Sequence, residues 1–180
     1  MLRHFHLTKL QWKSVLKWTL YCLLYLLTLV FDDVLLAKLP VFGAKLSPVP
    51  MYIVAVCIRE GPETGGVFAI LGSLFWYLSG VDYGNISVAV LPICSILAAV
   101  LCRAVLTVRL LPTGICCFVI ALLNESRIFL FKLILPPLVA VENYWRVLLP
   151  GVLLTLPLVP PMYFIVKAIG RIGVQHELQR

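Results

Sequence analysis

The chain has 180 residues, 62% of them hydrophobic and 13% charged, with a formal net charge of +7 at pH 7. Soluble domains carry about 45–50% apolar and about 25% charged residues, so this composition excludes an ordinary soluble core and leaves too little chain for a separate water-soluble catalytic domain. The basic excess is read as the Lys/Arg bias of cytoplasmic segments of a membrane protein, not as a nucleic-acid footprint.

The expected architecture is all-α: one integral membrane domain over 1–180, a bundle of about six transmembrane helices. Leu2–Lys17 interleaves Arg3, Lys9, Lys13 and Lys17 with Phe5, Leu7, Leu10, Trp12 and Leu16. Two readings of this basic N-terminal segment (1–14) stay open: an amphipathic helix lying on anionic lipid, or a basic flank. His4 and His6 are read as solvated surface residues.

Span 1 covers Val15–Leu36, interrupted by Lys17 and by Asp32–Asp33. Its apolar core exceeds the ~7–15 residues of a signal h-region and no A-x-A site follows, so it reads as a retained span. Span 2, Pro48–Ile58, is too short to cross alone unless it tilts, starts earlier or is re-entrant. Spans 3 to 6 are placed at Gly65–Leu78, Ile86–Leu106, Leu111–Leu135 and Val147–Val166, followed by a basic tail, 167–180. With six spans, Arg3, Lys9, Lys13, Lys17, Arg59, Arg103, Arg109, Lys167, Arg171 and Arg180 share one side. Lys38, Lys45 and Arg146 fall on the other. That asymmetry puts both termini in the cytoplasm.

Three features bear on function. Span 3 carries Gly65, Ala69, Gly72 and Ser73, then Gly80, on one helical face, with Trp76 on the same side. Small residues let helix backbones approach closely in lipid, so this face meets either another subunit or the chain's own bundle. Before it lies the turn Glu60-Gly61-Pro62, where Glu63 and Thr64 suit a helix start and Glu60 offers a carboxylate to the chain or to a cytoplasmic partner. Span 5 carries Asn124, Glu125 and Arg127, with Lys132 further on. A charge at mid-bilayer costs about 2.5–3.5 kcal/mol on insertion scales. This polar cluster therefore marks an ion path, a ligand pocket or a subunit contact, unless the helix end lies lower and the residues sit among headgroups.

The six cysteines, Cys22, Cys57, Cys94, Cys102, Cys116 and Cys117, lie in or beside apolar runs, form no CxxC pair and read as small hydrophobes. No catalytic or metal-binding constellation and no cofactor motif is visible, since all three histidines lie near the termini. A non-enzymatic role is expected.

The segment Val41-Phe42-Gly43-Ala44-Lys45, then Pro48 to Glu60-Gly61-Pro62-Glu63-Thr64-Gly65, then Ala69-Ile70-Leu71-Gly72, resembles the rod shape-determining protein MreD family. The stretch Tyr144–Arg171, an apolar span with a basic end, is also similar. The specific part of the resemblance is about 41–80. One departure is Trp76, which stands where the family usually has an acidic residue. The resemblance implies a bacterial inner-membrane scaffold of cell shape and peptidoglycan elongation. Its implied partners are a bitopic MreC-like protein and, through it, MreB and the peptidoglycan synthase complex. It also implies a fold similar to the S components of energy-coupling factor vitamin transporters. A vitamin-binding S component is accordingly the alternative function. Against it, span 1 from Leu16 to Leu36 holds no Ala or Gly for the close contact such subunits make; in its favour stand the span 5 charges.

Overall fold

The computed structural model describes residues 9–36, 47–80, 87–104, 110–134 and 156–174. Every element in these residues is a helix. Helix α1 (Lys9–Phe31) closes in a π-helical turn, Asp32–Leu36. There follow α2 (Val49–Glu60), α3 (Thr64–Leu78), α4 (Ser87–Ala104) and α5 (Leu110–Ile134). A 3-10 turn, Leu156–Leu158, leads into α6 (Val159–Val174).

Helix α2 forms the axis of the bundle. Pro48 precedes it and Pro50 sits in its first turn, where a missing N–H costs nothing. Every residue from Val49 to Ile58 is buried. A helix apolar on all sides needs cover on all sides, and α1, α3, α4, α5 and α6 each pack against it. At 1.5 Å per residue α2 spans only about 18 Å, well short of the ~30 Å of a bilayer core. The short second span is thus a core helix wrapped by five neighbours.

The outer helices present a different surface. Leu27 of α1 is 59% exposed, Leu71 of α3 60%, Leu97 of α4 62% and Leu111 of α5 73%. Trp12, Leu23, Leu26, Val30, Phe75, Leu78, Ile93 and Phe164 are exposed as well. Large apolar side chains therefore cover much of the outside while tyrosines, Asp32, Thr28 and Thr113 lie inside. Among the described residues one stretch, Trp12–Val34, is long and apolar enough to cross a membrane by length and composition; Thr64–Leu78, Val88–Ala104 and Leu110–Leu123 are shorter apolar helices.

Contacts at one end set the direction of the helices. Lys17 of α1 meets Glu60 at the end of α2, and Arg103 at the end of α4 reaches the Arg59 carbonyl. Thr113, in the first turn of α5, lines a cavity with Arg59 and with Lys167 of α6. Helices α1, α3 and α5 leave this end; α2, α4 and α6 return to it.

Three sequence boundaries need correction. Helix α1 runs without a break from Lys9 through span 1, so residues 9–14 extend that span instead of forming a separate surface helix; residues 1–8 lie outside the described residues. The last helix begins at Val159, not Val147, because Pro160 and Pro161 are tolerated in a first turn but not in a helix interior. Lys167 and Arg171 accordingly belong to α6 and not to a tail. Residues 37–46, which include Val41–Lys45, and residues 135–155 lie outside the described residues.

Candidate functional site

A polar stripe on α1 organises the interior. Lys17, Tyr21, Tyr25, Thr28 and Asp32 follow one another at steps of four, four, three and four, which places them on one helix face. That face points inward: Tyr21, Tyr25, Thr28 and Asp32 are buried and Lys17 is half-buried. Each of these side chains finds a partner, as apolar surroundings require, though Asp32 does so through Oδ2 and not Oδ1. The Lys17 ammonium lies 2.5 Å from Glu60 Oε2. The Tyr21 hydroxyl donates to Glu60 Oε1 at 2.8 Å. Tyr25 donates to the Gly72 carbonyl at 2.6 Å, and Thr28 to the Leu24 carbonyl at 2.7 Å. Asp32 accepts from the Ser47 hydroxyl at 2.8 Å, fastening the chain just before α2 to the end of α1. Tyr52 of α2 donates back to the Tyr21 carbonyl at 3.0 Å. The rings of Tyr21, Tyr25, Tyr52 and Phe68 pack with centroids 6.0–6.4 Å apart, within the range of favourable aromatic contact.

The turn between α2 and α3 lies at the same end. Glu60 is engaged inside the chain by Lys17 and Tyr21, the local one of the two roles open to it from the sequence. Gly61 adopts φ +101°, a region that side-chain-bearing residues rarely occupy. A Cβ there would fall on the Arg103 guanidinium, whose Nη2 donates to the Arg59 carbonyl at 3.5 Å. A cation at this point complements the negative end of the α2 dipole. The carbonyls of Gly61, Pro62 and Glu63 accept from the first N–H groups of α3, those of Gly65, Gly66 and Val67, at 2.9–3.2 Å. Thr64 does not cap α3; its hydroxyl donates to the Glu60 carbonyl at 3.3 Å, and the Glu63 side chain makes no cap bond.

The small-residue face of α3 packs inside the bundle. Gly65, Ala69, Gly72 and Trp76 are all buried. The Gly65 Cα lies so close to α2 that an added Cβ would come within 2.7 Å of the Cys57 Cα. Gly80 does not share this packing: it is exposed, at φ +75°, in the turn after α3. The Trp76 indole Nε1 is buried without a hydrogen-bond acceptor among the described residues.

Asn124, Glu125, Arg127 and Lys132 belong to the helical backbone of α5, but their side chains lie outside the described residues. Sequence reasoning passed over the stripe Lys17–Asp32, though its spacing was a sufficient signal. It also passed over Cys102 and Cys116, which come from different helices and approach to 3.6 Å between sulfurs. Among the described residues no three His, Cys, Asp or Glu side chains converge to hold a metal. This end collects Lys17, Arg59, Arg103 and Lys167 on one side, an arrangement suited to meeting an anionic group, and of these only Lys17 meets a carboxylate among the described residues. No family model, no curated protein and no solved structure matches the chain.

Proposed function

We propose that the chain is a multi-pass bacterial inner-membrane protein of the MreD type, a non-enzymatic assembly component of cell-wall elongation with both termini in the cytoplasm. The observation that carries the membrane part is the inverted surface: exposed Leu27, Leu71, Leu97 and Leu111 outside, hydroxyls and an ion pair inside. Soluble monomers rarely expose apolar patches beyond a few hundred Å², whereas a bilayer requires polar groups to be satisfied internally. The gathering of Lys17, Arg59, Arg103 and Lys167 at one end supports a single cytoplasmic face.

The MreD part is supported by where the resembling residues lie. The segment from Pro48 to Gly72 makes the α2–α3 hairpin, whose helix α2 touches every other helix, and its turn Glu60–Gly65 is closely packed: a Cβ at Gly61 or Gly65 would collide with Arg103 or Cys57. An outer surface of large apolar residues is then left for lipid and for a single-span partner helix. The test is affinity purification of the tagged protein from its native membranes in mild detergent. Recovery of a one-span, coiled-coil MreC-like protein supports the reading, and MreB and the synthase should follow it. Failure to recover such a protein, together with a thermal shift on addition of a vitamin, would replace it with the S-component reading.

A further inference from the structure

Between α2, α5 and α6, at the basic end of the bundle, lies a small, partly open cavity of about 10 Å³. Its walls include Arg59 from α2, Thr113 from α5, and Tyr163 and Lys167 from α6. Arg59 and Lys167 are both basic side chains, and neither meets a carboxylate within ion-pair distance among the described residues. The Arg59 side chain is held in place, not splayed into solvent: it lies across α6 where Gly170 leaves room, and a Cβ there would come within 2.8 Å of its Nε. Lys167 is steadied over the Tyr163 ring, its ammonium 5.6 Å from the centroid. Thr113 belongs to the first turn of the long helix α5, whose N-terminal dipole adds further positive potential.

We infer that this cavity is a binding site for a phosphate-bearing anion, gripped by Arg59 and Lys167. The geometry selects the ligand class. The cavity has room for about one oxygen-sized group, so a phosphate seats a single oxygen inside while its other atoms remain at the mouth. Arg and Lys are the side chains that recognise such groups, the guanidinium by paired hydrogen bonds and the ammonium as a point charge. The nearest carboxylate on α2, Glu60, has both oxygens occupied by Lys17 and Tyr21 and does not compete for Arg59. Two sources offer this chemistry: the headgroup of an anionic phospholipid and free phosphate. The lipid source rests on the membrane reading proposed above; the phosphate source does not.

The experiment uses the full-length protein in nanodiscs of phosphatidylcholine, to which either phosphatidylglycerol or inorganic phosphate is added, with thermal unfolding as the readout. A rise in Tm with phosphatidylglycerol alone assigns a lipid headgroup; a rise with inorganic phosphate as well assigns the free anion. In either case R59Q/K167Q should weaken the apparent affinity by about tenfold or more, as expected for loss of charge-assisted hydrogen bonds. K167R should keep the response, and so should R171Q, which removes an exposed cation one turn further along α6. No rise in wild type with either additive overturns the inference, as does an equal rise in R59Q/K167Q. Protein that is stable in nanodiscs but silent to both additives contradicts the site while leaving membrane residence intact.

Discussion

Helices α1 and α2 are both apolar runs, yet they occupy opposite environments. Helix α1 is one-sided: its Lys17–Asp32 stripe faces the bundle, and Leu23, Leu27 and Val30 face away. Helix α2 has no outer face at all, with Val49 to Ile58 buried on every side. The difference teaches that in such a chain apolarity no longer marks the interior. Where lipid is as apolar as a neighbouring helix, the inner face of an outer helix is recognised by its polar groups, and a core helix by its want of any.

The largest effect should come from forcing α2 away from α3. Gly65→Leu puts a side chain where the Cys57 backbone stands; overpacking typically costs about 1–3 kcal/mol and occasionally more, and here backbone, which cannot swing aside as a side chain can, takes the clash. The variant should fail to accumulate in membranes, as judged by immunoblot and size-exclusion chromatography.

The comparison itself is sharpened by paired truncations. Ile53→Ala empties a fully buried site and should cost about 2–4 kcal/mol. Leu27→Ala, on the exposed outer face of α1, should cost under about 1 kcal/mol, since in the proposed membrane setting it gives up only contact with equally apolar lipid. Equal losses in a denaturant titration of reconstituted protein would erase the distinction between the two helices.

Next in size is the ion pair. Lys17→Met leaves Glu60 charged and mostly buried, with Tyr21 its remaining partner. A loss of about 2 kcal/mol is expected, because removal of one partner strands the other. Adding Glu60→Gln should restore most of it; a double variant as unstable as the single one would contradict this account of the pair. A smaller effect, about 1 kcal/mol, is expected for Tyr25→Phe, which deletes one hydrogen bond to the Gly72 carbonyl and keeps the ring in its aromatic cluster.

Much of this was legible in the chain. The helical class, the shortness of the second apolar run and the turn at Gly61–Pro62 follow from run length and from glycine and proline placement. The inner face of α1 was equally legible in the four, four, three, four spacing of Lys17 to Asp32, but attention to small residues passed over polar ones. The start of α6 was misplaced because hydropathy continues smoothly from Val147, whereas the physical limit is the proline pair at 160–161. The envelopment of α2 could not be read, since a residue facing lipid and one facing five helices have the same composition. The ion pair Lys17–Glu60 joins residues 43 apart in sequence, and no local pattern announces it.

The central claim is that lipid covers the outer helices and never reaches α2. Phospholipids carrying a photoactivatable diazirine on the acyl chain, incorporated in nanodiscs with the native protein, test it directly when adducts are mapped by peptide mass spectrometry. The account expects adducts on the outer faces of α1, α3 and α4, at or beside Leu27, Leu71 and Leu97, and none from Val49 to Ile58. Adducts within α2, or labelling of Leu27 and Leu97 by a water-borne radical in place of the lipid probe, would contradict it.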